Sequence, residues 1–126
     1  MMDIDHFKRV NDKFGHGVGD QVLQHVISIC SAGLRESDLL GRLGGEEFAI
    51  ILPFQTQQQA QRVAERLRQT IEGTPLMLPS GPINVTSSMG LTMLLPDDTL
   101  ESSLQRADGA LYEAKHKGRN RVKHYK

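Results

Sequence analysis

Four acids and a pair of glycines are the residues of this chain whose types and spacing could do chemistry. Asp3 and Asp5 lie in "MMDIDHF"; Glu46 and Glu47 follow Gly44 and Gly45 in "GRLGGEEFAIILP", at the mouth of an apolar run. On an extended strand, residues two apart point the same way, so Asp3 and Asp5 share a face. If that strand lies beside the glycine turn, an Asp and a Glu converge at one end of a sheet. Carboxylates gathered in this way repel unless a cation sits between them. Hard oxygen ligands in small number favour Mg2+, which keeps waters and phosphate oxygens in its shell. Singly, each acid reads as a solvated surface residue, and spacing alone leaves metal binding the minority alternative.

The glycines sharpen that alternative. Gly44 and Gly45 tolerate φ > 0 and let a ligand approach the backbone, although a plain hairpin turn accounts for them equally well. "FGHGVGD" reads as a loop whose amides could face a phosphate, a weak signal by itself. Lys115 and Arg119 flank the end of the last helix, where phosphate contact and complementing the helix dipole are comparable explanations. His6, His16, His25, His116 and His124 show no metal-ligand spacing. Cys30, the only cysteine, sits at a helical core spacing; it excludes an internal disulfide framework and fits a reducing compartment.

The elements that must position these groups follow from periodicity. "FKRVNDKF" predicts a short helix broken at Gly15, then a glycine-rich loop to Gly19, with Asp20 capping the next helix. Val22, Leu23, Val26, Ile27, Cys30 and Leu34 recur at spacings of three and four along that helix. "LLGRL" and "EFAIILP" predict two strands joined across Gly44–Gly45. A second amphipathic helix is predicted over residues 55–72, followed by strand pieces broken at 79–82. The last helix opens with Asp98 and Glu101 in a capping-box pattern and ends at Gly118, before a final strand in "NRVKHY". The order predicts an α+β fold, a mixed central sheet of about five strands flanked by helices on a ferredoxin-like β-α-β-β-α-β core.

With 126 residues, the chain has room for one domain. Its 15 basic and 15 acidic residues cancel, which argues against a sequence-independent nucleic-acid binder. No apolar run approaches the ~18 residues of a membrane span. These features lead us to expect a cytoplasmic domain, as such or as the cytosolic part of a larger sensor.

"DIDHFKRVNDKFGHGVGD", "LGRLGGEEF" and "RADGALYEAKHKGRNRV", in this order and across nearly the whole chain, resemble the GGDEF domains, which act as diguanylate cyclases. Glu46 replaces the aspartate of the family's name, a GGEEF variant that also occurs among active members. The resemblance implies a palm-type core as in the nucleotidyl cyclases. It also implies that Asp3 and Glu46 hold Mg2+, or Mn2+ in its place, with help from the backbone carbonyl of Ile4. Asn11 and Asp20 would bind the guanine edge and Leu23 would pack near the base. Gly44 and Gly45 would admit the nucleotide, and Lys115 and Arg119 would neutralise its terminal phosphates. Glu47 would serve a second metal ion or assist deprotonation of the ribose 3′-hydroxyl.

The implied reaction joins two GTP into cyclic di-GMP in an antiparallel homodimer and releases two pyrophosphates. "RESD", Arg35 to Asp38, fits the family's RxxD product-inhibition site, and Arg66 matches a secondary contact there. Family domains usually begin with a further helix and a full first strand. This chain, residues 1–126, lacks that helix and most of the strand, so we expect an open edge beside Asp3 and weak turnover or none. Two alternatives stand beside the cyclase: a non-catalytic cyclic di-GMP receptor, and a GTP-binding regulatory module.

Overall fold

The computed structural model describes residues 1–125; Lys126 lies outside the described residues. The elements run β1 (Met2–Ile4), α1 (Phe7–Phe14), α2 (His16–Gly33), β2 (Leu39–Gly44), β3 (Glu47–Ile51), α3 (Gln57–Gly73), β4 (Leu76–Leu78), β5 (Gly81–Ile83), β6 (Ser87–Leu91), α4 (Leu100–His116) and β7 (Val122–His124). The main sheet has the order β2-β3-β1-β6-β7, and β4 pairs with β5 in a separate two-stranded sheet. β1 is antiparallel to both β3 and β6, while β6 and β7 are parallel. Placing β1 between β3 and β6 is the split β-α-β arrangement of the predicted ferredoxin-like core, extended by the β4–β5 hairpin and by β7.

Alternation along β1 sorts the chemistry from the core. Met2 and Ile4 join Phe48 and Met89 in an apolar layer covered by Val22, Val26 and Cys30 of α2 and by Leu67 and Ile71 of α3. Asp3 points to the opposite face, where α4 lies. That helix sits close because β6 carries Gly90: a Cβ there would stand 2.1 Å from the Ala107 carbonyl oxygen. Close docking of α4 brings Lys115 over the end of β1.

Several sequence expectations shift. The segment "FGHGVGD" is helical rather than a loop, because α2 starts at His16, directly after Gly15. Gly19 gives room to the Asn11 amide: a Cβ there would fall 1.8 Å from Asn11 Oδ1, so a side chain would displace that amide. The hairpin turns at Gly45–Glu46, with Gly44 still in β2. The α4 capping box uses Thr99 and Ser102, not Asp98 and Glu101. Asp98 instead pairs with Arg106 and accepts from the Leu95 N–H at 2.7 Å. At Asp3 itself β1 is paired with both β3 and β6, while the β1–β3 register stops at Met2 and Phe48. The short strand leaves only a narrow apolar gap past Met1, between Ile50 and Leu52 on one side and Met89 and Leu91 on the other.

Candidate active site

The catalytic candidates meet where β1 ends against the β2–β3 hairpin. Asp3 is opposite Glu47 in the β1–β3 register, and the Ile4 N–H donates to the Glu46 carbonyl at 3.4 Å. Cross-strand pairing therefore brings three carboxylates to one corner of the sheet. Asp3 is 3% exposed, and Lys115 Nζ donates to its Oδ2. Burial is the largest influence on this carboxyl and raises its pKa; the Lys115 ammonium opposes the rise, and the charges of Glu46 and Glu47 add to it.

Asp3, Ile4, Glu46, Lys115 and Arg119 border one cavity of about 390 Å³, closed on another side by the first turn of α1 with Lys8. Asp3 and Glu46 thus share a cavity with Lys115 and Arg119, and Asp5, Asp12, Lys8 and Arg9 also line it. Among the described residues, no three His, Cys, Asp or Glu side chains gather tightly enough to enclose a metal ion alone. Such a donor set fits a hard divalent cation that draws the rest of its shell from water and phosphate oxygens.

The other expected residues spread around this corner. Gly44 and Gly45 are exposed at φ 155° and 50°, with no atom within 4 Å of where a Cβ would stand, so the turn leaves open space. Glu47 is half-buried on β3 and does not border the cavity. Asn11 lies on α1 with its amide against Gly19, one residue before the exposed Asp20. The two are thus neighbours, outside the cavity that holds the cations. Leu23 is buried in the core layer rather than on the cavity wall.

The partners of Asp5 escaped sequence reasoning. Asp5 is 6% exposed and accepts from Thr86 Oγ1 at 2.7 Å, Ser88 Oγ at 2.6 Å and the Asn120 N–H at 3.0 Å. Its shared face with Asp3 was legible, but its partners lie far along the chain and carry no local signal.

Arg35 and Asp38 form a second cluster in the turn between α2 and β2. Arg35 offers Asp38 its backbone N–H at 2.7 Å and its Nη2 at 3.0 Å, and donates to the Pro53 carbonyl at 2.8 Å. These bonds hold the Asp38 carboxyl below the usual carboxylate range, with Arg35's side chain the main cause and Arg66 contributing. Arg66 reaches across from α3 to the Gly33 carbonyl at 2.6 Å. The three residues separated in sequence therefore stand together.

Residues 1–121 match the family described as "Diguanylate cyclase, GGDEF domain". The chain is 41% identical over 122 residues to the diguanylate cyclase DgcP of Pseudomonas aeruginosa, covering 97% of itself and 18% of that protein. Among curated relatives it matches, it spans between about a fifth and a third of their length. The GGDEF domain of DgcB from Caulobacter crescentus, solved in complex with c-di-GMP, superposes with a TM-score of 0.93 at 36% identity, covering 98% of this chain and 74% of that one. The active GGEEF domain of a diguanylate cyclase from Vibrio cholerae gives 0.90 at 34% identity, over 99% and 80%. With the match running through nearly its whole length, the chain belongs to the GGDEF family of diguanylate cyclase domains.

Proposed function

We propose that this domain condenses two molecules of GTP into cyclic di-GMP. The observation that carries the reading is the single cavity shared by Asp3, Glu46, Lys115 and Arg119, with acids for a cation beside bases for phosphate. Asp3, Glu46 and the Ile4 carbonyl would hold Mg2+, or Mn2+ in its place. When bound, the ion would polarise phosphoryl oxygens and acidify the ribose hydroxyl. Lys115 now satisfies Asp3; with substrate present it would turn its charge to the terminal phosphates beside Arg119. Asn11 and Asp20 would take the guanine edge, with Leu23 behind them supporting the base site from the core. Gly44 and Gly45 would give the nucleotide passage along the hairpin.

The chemistry needs two domains. The 3′-oxygen of one GTP attacks the α-phosphorus of the other; a P–O bond forms, the bond to the β-phosphate bridge breaks, and pyrophosphate leaves. Glu47, opposite Asp3 on the paired strand, would serve a second metal ion or assist deprotonation of the hydroxyl. A second attack in the opposite sense closes the ring. Each domain presents one GTP, so an antiparallel homodimer is part of the mechanism.

Arg35, Asp38 and Arg66 would bind the product. Arginine suits the guanine Hoogsteen edge or a phosphate, and aspartate suits the N1–H and N2–H donors. The prearranged pair supports this assignment and favours a second reading, a cyclic di-GMP receptor without turnover. Incubation with GTP and Mg2+ followed by chromatography decides between them. Cyclic di-GMP and pyrophosphate in a one-to-two ratio, at a rate rising with the square of dilute enzyme concentration, are the expected products. Unreacted GTP together with tight cyclic di-GMP binding would replace the cyclase with the receptor.

A further inference from the structure

The backbone after α4 holds three consecutive residues at positive φ: Gly118 at 122°, Arg119 at 63° and Asn120 at 47°. Glycine adopts such values freely, but for Arg and Asn the left-handed region costs on the order of 1 kcal/mol each. Conformations of this kind persist where the surroundings over-determine them. Here the surroundings converge on Asn120 from α3 and from the residue just past the end of β1. Its N–H donates to Asp5 Oδ2 at 3.0 Å, its Oδ1 accepts from Arg68 Nη1 at 2.8 Å, and its Nδ2 donates to Glu72 Oε2. Arg68 is itself oriented by Glu65 through Nη2 at 3.0 Å.

Nothing comparable holds the side chain next door. Arg119 is exposed, borders the cavity, and pairs with no acid among the described residues. Its backbone is fixed instead: the Arg119 N–H donates to the Ala114 carbonyl and its own carbonyl accepts from Arg121 Nε, both at 3.0 Å. The strain and the network therefore fix the start of one cationic side chain and leave its end free.

We propose that Asp5, Asn120, Arg68 and Glu72 form a brace that positions Arg119 for the phosphates of GTP. The brace rests on the reading of Arg119 as a phosphate ligand. It also reaches the cation side of the site, because Asp5 stands two residues after Asp3, just past the end of β1. Arg68 and Glu72 touch neither substrate nor cation; they are positioning residues that act through Asn120.

Calorimetric titration with a non-hydrolysable GTP analogue and Mg2+ tests this. Arg68→Met keeps the apolar stem, and the carboxylates it frees, Glu65 and Glu72, are 39% and 48% exposed, so water can solvate them. The expected result is a Kd about tenfold weaker in Arg68→Met but changed less than about twofold when Arg119 is already Ala, since a residue acting through Arg119 has nothing left to position. Equal weakening in both backgrounds, or no weakening in either, would overturn the brace. Asn120→Gly guards against misfolding: glycine accepts φ 47° and keeps the N–H to Asp5 while losing both side-chain contacts. It should show the same dependence on Arg119. A wild-type domain that binds no analogue would overturn the nucleotide-site reading and the brace with it; binding that ignores the Arg68 and Asn120 changes would overturn the brace alone.

Discussion

Asp3 and Asp38 have side chains 5% and 3% exposed, and each touches one cationic residue, yet their surroundings push their protons in opposite directions. Asp3 is raised because burial dominates and two more acids stand near, with one lysine in opposition. Asp38 is lowered because Arg35 grips it through both main chain and guanidinium, with no acid beside it. Desolvation outweighs the single lysine at Asp3, whereas at Asp38 the Arg35 donors outweigh it. The comparison separates two kinds of site. Around Asp3 the conflict is relieved by further positive charge, as a bound divalent cation would supply. Around Arg35 and Asp38 the charges already answer one another, and the pair is preformed for a polar ligand.

The largest expected effect breaks the first half of the comparison. Asp3→Asn should lower cyclic di-GMP formation at least about a thousandfold, because metal-assisted charge stabilisation is lost. The fold should persist, since a buried, repelled carboxylate is replaced by a neutral amide. The pH dependence gives a second reading. With a raised pKa, folded Asp3 binds more protons than the unfolded chain above its ordinary value of 3.8, so it adds stability in acid that is lost as pH rises through the folded value. Urea melts across that window should show wild type losing this increment and Asp3→Asn lacking the step.

Arg35→Ala breaks the other half. Loss of the guanidinium should weaken cyclic di-GMP binding by about a hundredfold in calorimetry, on the scale of a charge-assisted bidentate contact. For Asp38 the linkage sign is reversed. Its stabilising contribution is present above 3.8 and is lost as pH falls through the depressed folded value. Carboxyl NMR titration should find Asp38 below 3.8 in wild type and closer to it in the variant. Unchanged titration would mean that Arg35 is not the main cause.

Lys115→Met sharpens the comparison by removing the one opposing cation at Asp3. The Asp3 carboxyl should titrate higher still, and the KM for GTP should rise by about tenfold as a phosphate partner is lost. A fall in the Asp3 pKa would show that the ammonium does not contribute to its ionisation.

How much of this was legible in the sequence follows the range of the interactions. Period-two and period-3.6 patterns are local, and they placed the sheet and the main helices. Asp3, Glu46, Lys115 and Arg119 were readable as a group only through motif resemblance, and the sheet register brings them to one cavity. The segment "FGHGVGD" misled because glycine signals both loops and close contacts; here Gly19 serves the contact with Asn11. Asp98 misled for a related reason: its carboxylate answers Arg106, further along α4, which a local capping pattern does not register. The Asp5–Asn120–Arg68 brace was invisible, since its members lie 115 and 52 positions apart in sequence and meet only after folding.

The smallest expected effect tests whether strain differs between the two sites as charge does. Phe54 follows Pro53, whose carbonyl anchors Arg35, and it takes φ 59° with its ring 99% exposed. Unlike Asn120, its side chain makes no contact that could hold it in the left-handed region. Phe54→Gly should therefore relieve about 1–2 kcal/mol of backbone cost and forfeit no buried apolar area. The greater freedom of glycine in the unfolded chain returns roughly 0.5–1 kcal/mol of that. A net gain of about 0.5–1 kcal/mol should appear as a higher urea midpoint at unchanged slope. Asn120→Gly, at a similar φ, should instead lower the midpoint, because it removes the hydrogen bonds to Arg68 and Glu72. A lower midpoint for Phe54→Gly as well would mean that its ring is covered in solution and that strain at both sites is held by contacts.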